Sequence, residues 1–273
     1  MPDLLTRLQE SVGFVRAKIS LNPVIAIILG SGLGPFADAL EKATSVRTSD
    51  IPHYPRSTVE GHSGELVFGK IHGKDILAVK GRVHYYEGYS MEQVTYAVRM
   101  MHFLGIRSLI VTNAAGGLNP RFSPGDLMFI TSHLNYFFDN PLRGINLDSL
   151  GPRFPDMEED YDRAYIDMAE AIALELKVRT QRGVYCAHSG PTYETKSEVK
   201  MFQKMGVDAV GMSTIPEVIV ARHQGMRVLG ISCITNLGTG ISATPLSHEE
   251  VTETANRVKE SFQNLISEII RKM

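Results

Sequence analysis

Six consecutive aliphatic residues, Val24-Ile-Ala-Ile-Ile-Leu29, run straight into Gly30-Ser31-Gly32-Leu33-Gly34. A strand this apolar has no solvent side, so it must lie in a sheet covered on both faces, which demands helices above and below it. The rest of the chain can supply them. Leu4, Leu5, Leu8, Val12, Val15 and Ile19 lie at helical spacing ahead of the run. Glu65–Ile71 and Lys74–Lys80 read as a hairpin turning at His72-Gly73. Ser90-x-x-Gln93 is a capping box for a helix striped by Met91, Val94, Val98, Met101 and Leu104. Strand-like runs at 108–112, 126–131, 183–188, 207–212 and 227–235 then alternate with helices. Thr195-x-x-Glu198, Thr214-x-x-Glu217 and Ser247-x-x-Glu250 each predict a helix start. Residues 133–160 show no period, and a loop that long is usually functional.

The alternation predicts an α/β fold, one domain over residues 1–273 with a central mixed, largely buried β-sheet flanked by helices. A chain of this length can bury roughly three-quarters of the surface it exposes when unfolded, so it needs no staples. Cys186 and Cys233 sit in apolar strand-like runs and read as reduced, buried hydrophobes. A net charge of −2 offers no broad basic face, so no nucleic-acid partner is expected. No run is long enough to span a bilayer and the first residues form no apolar leader. The expectation is a cytoplasmic protein without membrane contact. The nine histidines include no His-x-x-x-His pair and no Cys partner at ligand spacing, so no metal site is expected.

Small or polar residues collect where the strands end. Gly30-Ser31-Gly32-Leu33-Gly34 could bring backbone N–H groups and the Ser31 hydroxyl to an anion, or form only a tight turn. Arg82 and His84, two apart on an extended segment, point the same way and suit a phosphate dianion; a surface loop with an aromatic anchor is the alternative. Asn113-Ala114-Ala115-Gly116-Gly117 leaves the backbone bare for a ligand or for helix packing. Glu194 precedes a helix cap, so it is either a site carboxylate or a structural one. Ser213 opens a helix as a possible anion donor, and Asn236 closes a strand where an Asn commonly forms a turn. Clusters at strand ends fit the rule that ligands sit outside the carboxyl ends of α/β strands.

The order of these segments carries more than any one of them. Gly30-Ser31-Gly32-Leu33-Gly34, Arg82-x-His84-x-Tyr86-Glu87-Gly88, Asn113-Ala-Ala-Gly-Gly117, Tyr193-Glu194-Thr195, Gly211-Met212-Ser213-Thr214-x-Pro216-Glu217 and Thr235-Asn236 resemble, in order and spacing, the trimeric purine nucleoside phosphorylases from about residue 24 to His248. The resemblance implies phosphorolysis of a purine (deoxy)ribonucleoside to the free base and α-(deoxy)ribose 1-phosphate. It implies a phosphate site of Ser31, His62, Arg82, His84, Ser213 and the Ala114 backbone N–H. Glu194 and Asn236 would hold the base, with Tyr193 nearby. Tyr86, Met212 and His248 would meet the sugar, and Phe154 would close the sugar pocket of the neighbouring subunit in a homotrimer. His84, Glu194 and Asn236 are the residues expected to carry catalysis. No cofactor is implied, since phosphate is a co-substrate. The segment 53–64 is the expected lid.

Two departures from the family pattern stand out. Leu237-Gly238 follows the Asn where mammalian members carry Lys, and Tyr193 replaces a Phe. The rival within the superfamily is a methylthioadenosine phosphorylase, which resembles this pattern with Asp at position 236. Asn236 and His248 point instead to 6-oxopurines and an ordinary 5′-hydroxyl. A non-catalytic nucleoside-binding module would have no need of both half-sites.

Overall fold

The computed structural model describes residues 3–58, 64–241 and 248–273, the last segment by backbone alone over 248–252. His62, the cap at Ser247 and the 59–63 part of the expected lid lie outside the described residues.

Helix α1 (Leu4–Arg16) starts at Asp3, whose carboxylate accepts from the Thr6 N–H. Strand β1 (Ile25–Leu29) follows, and all five of its residues are buried. Strand β2 (Glu41–Arg47) pairs antiparallel with β3 (Glu65–Ile71), which forms the expected hairpin with β4 (Lys74–Lys80). The predicted 91–104 helix is two: α2 (Met91–Val94) and α3 (Tyr96–Leu104) meet at Thr95. There the Thr95 hydroxyl bonds back to the Met91 carbonyl, a local bond that bends helices. Strands β5 (Ser108–Gly117) and β6 (Leu127–Tyr136) run longer than their apolar cores suggest. Helix α4 (Arg163–Glu175), strand β7 (Thr180–His188), helix α5 (Lys196–Lys204) and strand β8 (Ala209–Gly211) come next. Helix α6 (Ile215–His223), strand β9 (Arg227–Leu237) and helix α7 (His248–Lys272) complete the order.

The strands join as β2-β3-β4-β1-β5-β8-β7-β6-β9, and β9 pairs back onto β5. The last five therefore close into a ring, which a reading from local pattern cannot foresee. Strand β5 makes the closure possible. Along its first half it pairs with β1 on one side and β9 on the other. At Gly116 and Gly117 the short β8 takes over the edge that β1 has left. Helix α6 is buried almost all round, with Ile215, Val218, Val220 and Ala221 inaccessible and even Glu217 sealed in.

Candidate active site

The chain segments leaving β1, β4, β7 and β8 and the ends of β5 and β9 converge on one cavity. It is lined by Ser31, Arg82, His84, Tyr86, Ala114, Tyr193, Glu194, Met212, Ser213 and Asn236, among others. Gly30 brings the first segment in. A Cβ there would stand 2.7 Å from the Asn113 Cα, so only glycine lets β1 end flush against β5.

One half of the cavity is built around Arg82. Its Nη1 donates to a Glu217 carboxylate oxygen at 2.7 Å and to Thr214 Oγ1 at 3.3 Å, and its Nη2 donates to the Thr112 carbonyl. Both partners of the ion pair are sealed from solvent. Burial pushes the Glu217 carboxyl up, and the guanidinium opposes that. The result is a cation whose charge is largely matched from behind and whose plane is fixed by three acceptors.

Thr214 does not cap α6 as its spacing with Glu217 suggests. It has no side-chain capping bond and sits at φ 76°, ψ −53°. The Ile215 N–H bonds to the Ser213 carbonyl at 2.8 Å, a γ-turn of the rare, strained hand. For a β-branched residue such backbone costs on the order of 1–3 kcal/mol. The hydroxyl is the compensation: Oγ1 accepts from Arg82 and, at 2.9 Å, from Asn113 Nδ2. With two donors already facing it, its own proton is left for Ser213 Oγ, 3.3 Å away, and the Ser213 O–H is then free to donate elsewhere.

His84 is oriented by Glu87. Its backbone N–H and ring Nδ1 reach the same Glu87 oxygen at 2.7 and 3.0 Å, while Thr58 donates twice to the other oxygen. Burial pushes the Glu87 carboxyl up, but these hydrogen bonds outweigh it and hold its pKa at about 2. A carboxylate that is ionised at neutral pH needs a donor at Nδ1, so Nε2 is the nitrogen with which this ring can meet an anion. Tyr86 stacks on the imidazole with centroids 4.7 Å apart, and burial pushes its phenol up to about 12.

The other half holds Glu194 and Asn236. Thr195 caps α5 in a reciprocal box with Glu198, so the Glu194 carboxylate is not spent on the helix start. It is buried and accepts from His188 Nε2 at 2.8 Å. Asn236 lies inside β9 rather than in a turn. The β5–β9 register slips between Ala115 and Gly116, so Ile234 faces Ala115 and Asn236 faces Gly116, leaving Thr235 as the extra residue. This bulge re-aims the Asn236 amide into the cavity. The Thr235 hydroxyl donates to its Oδ1 at 2.9 Å, which leaves the NH2 as the end that can donate to a ligand.

The chain matches the phosphorylase superfamily over residues 24–271. Purine nucleoside phosphorylase 1 of Geobacillus stearothermophilus is 51% identical over 268 residues, covering 98% of each chain. This chain belongs to the purine nucleoside phosphorylase family. The enzyme of Rattus norvegicus is 42% identical over 95% of this chain and 92% of its own. A Schistosoma mansoni purine nucleoside phosphorylase solved in complex with inosine superposes with a TM-score of 0.94 at 37% identity, over 98% of this chain and 97% of that one.

Against that family pattern, the cavity gathers Ser31, Arg82, His84, Tyr86, Ala114, Tyr193, Glu194, Met212, Ser213 and Asn236. His62 lies outside the described residues, and His248 is described only as the first backbone position of α7. Phe154 does not line its own chain's cavity and is 86% exposed. Reading by segment missed the residues that stand behind this cavity's lining. Thr214 and Glu217 were read as a cap pair, Glu217 lies 135 positions from Arg82, and Thr112 and His188 carried no role in a site. Among the described residues no group of three His, Cys, Asp or Glu could hold a metal, and no helix is long and apolar enough to cross a membrane.

Proposed function

We propose that this chain catalyses the reversible phosphorolysis of 6-oxopurine (deoxy)ribonucleosides such as inosine and guanosine, with inorganic phosphate as co-substrate. The carrying observation is that one cavity gathers Ser31, Arg82, His84, Ala114 and Ser213, which can offer an anion hydrogen-bond donors, together with Glu194 and Asn236, which can meet a base. Phosphate bound by the first group stabilises the oxocarbenium-like sugar that forms as the base departs, then attacks its anomeric carbon from the face opposite the base. The purine leaves with negative charge spreading over its ring, where the Asn236 NH2 can donate to N7 or O6. Glu194 accepts from N1–H and, in guanine, the 2-amino group. Tyr86, Met212 and His248 contact the ribose, Tyr193 walls the base, and His62 joins the phosphate. Holding both reactants in one cavity removes much of the bimolecular cost.

No metal or organic cofactor takes part in this scheme, and purine salvage in the cytoplasm is the setting. Phe154 belongs to the neighbouring site of a homotrimer, which agrees with the exposure of this large ring and its absence from its own cavity. The test is base release from inosine, guanosine, adenosine and methylthioadenosine, each with and without phosphate. Release from inosine and guanosine that requires phosphate is expected. Equal release in phosphate-free buffer would mean hydrolysis, and a preference for methylthioadenosine would favour the rival reading.

A further inference from the structure

We infer that His188 is a positioning residue that holds Glu194 as an oriented carboxylate and so sharpens the selection of 6-oxopurines over 6-aminopurines. The inference rests on the function proposed above and adds a residue to it.

His188 is the last residue of β7, six positions before Glu194. Both ring nitrogens are assigned by their partners. The Gly190 N–H donates to Nδ1 at 3.2 Å, so Nδ1 carries a lone pair. Nε2 must then carry the proton, and it donates to Glu194 Oε1 at 2.8 Å. Gly190 is held at φ +63°, and a Cβ on it would stand 2.6 Å from Met212 Sδ, so the loop delivering this N–H is closely packed. Among the described residues, His188 supplies the hydrogen bond that Glu194 receives.

A neutral imidazole donor does two things for a buried carboxylate. It compensates part of the desolvation of the charged form without placing a full cation beside it. It also claims Oε1, which sets the plane of the carboxylate and leaves Oε2 to lead towards the base. A 6-oxopurine presents N1–H, a donor, and matches an ionised Glu194. A 6-aminopurine presents N1 as a lone pair and can be met only by a protonated Glu194. By favouring the ionised form, His188 raises the cost of the second pairing and leaves the first intact. The other ionisable groups facing the pair are Glu198, Tyr136 and Tyr193 around the adjoining pocket, and Cys186 on the same strand. None of these is a cation that could replace the donor.

The experiment compares His188→Ala and His188→Gln with the unaltered chain, using inosine and adenosine at saturating phosphate. Phosphate-dependent release from inosine by the unaltered chain is measured first, and its absence would remove the proposed function rather than this inference. With it present, His188→Ala is expected to narrow the inosine-over-adenosine ratio of kcat/KM by about 10- to 100-fold, the worth of one charge-assisted hydrogen bond. His188→Gln keeps an N–H donor without a titrating ring and should restore most of the ratio. Hypoxanthine titrations by calorimetry give the same comparison without turnover. An Ala variant with unchanged ratio would overturn the inference, and so would a folded Gln variant that behaves like Ala.

Discussion

Replacing Glu217 by Gln isolates the charge behind the anion site. The side chain keeps its shape and an oxygen that can accept from Arg82 Nη1, now at 2.7 Å, but the guanidinium loses its counter-charge while still buried. Breaking a buried ion pair by removing one partner costs about 3–5 kcal/mol. Two features reduce that here. Gln retains a neutral hydrogen bond worth about 1 kcal/mol. The carboxylate was itself disfavoured by burial, so its removal relieves part of the cost. The expected loss is about 2–3 kcal/mol, read as the shift in urea midpoint in phosphate-free buffer at one fixed protein concentration. Saturating phosphate should reverse much of the loss, because a dianion on Arg82 supplies the missing negative charge and binds only the folded form. A variant within about 0.5 kcal/mol of the parent in both buffers would refute the argument that Glu217 neutralises Arg82.

Further outcomes follow from the same geometry. Thr214→Gly relieves a strained γ-turn and should change stability little, the lost hydroxyl bonds offsetting the strain, while phosphorolysis falls at least about tenfold; unchanged kinetics would deny Thr214 its role in aiming Ser213 and Arg82. Asn236→Ala should lower kcat on inosine by about 100-fold or more, because the donor to the leaving base is gone, and near-normal turnover would remove Asn236 from the base site. Glu87 has a folded pKa of about 2, below its ordinary 4.5, so its stabilising share is complete above about pH 4.5 and is lost as pH falls towards 2. Glu87→Gln should therefore flatten the acid side of the stability curve in that window, and a curve of unchanged slope would count against it. Phe154→Ala should depress activity without altering the Tm of the chain if the ring serves a neighbour's site, and sedimentation of an active monomer would defeat the proposal.

The parts of this protein written in local pattern were legible from sequence. The β3–β4 hairpin, the capping boxes at Ser90 and Thr195 and the wholly apolar β1 stand where spacing put them. Strand β2 escaped because it is exposed at nearly every position and so shows no apolar alternation. Ring closure escaped because pairing of β5 with β9 joins segments more than a hundred residues apart, and no window of sequence registers it. The cavity wall was readable because small and polar residues interrupt apolar strands there. Its supports were not, since a buried Glu on an apolar helix or a His at a strand end has the same local signature as a cap or a core residue. Thr214 shows the sharper failure: the S/T-x-x-E spacing was present, but the backbone turned through a strained conformation and took the hydroxyl away from the helix.

The closure of β5 on β9 also changes how the sheet meets its surroundings. An open nine-stranded sheet would present two unpaired edges, each a template for another chain. Here the far end is consumed by the ring, and among the described strands β2 alone has a single neighbour. That strand is exposed at nearly every position, begins Glu41-Lys42, ends at Arg47 and loses register between Glu41 and Thr44. Charge and an irregular ladder both discourage strand addition, so aggregation of the folded chain by edge pairing has one narrow and poorly suited place to start. Resistance to it should depend on β2: replacing Glu41 and Lys42 with valine would create the apolar edge that the fold otherwise avoids.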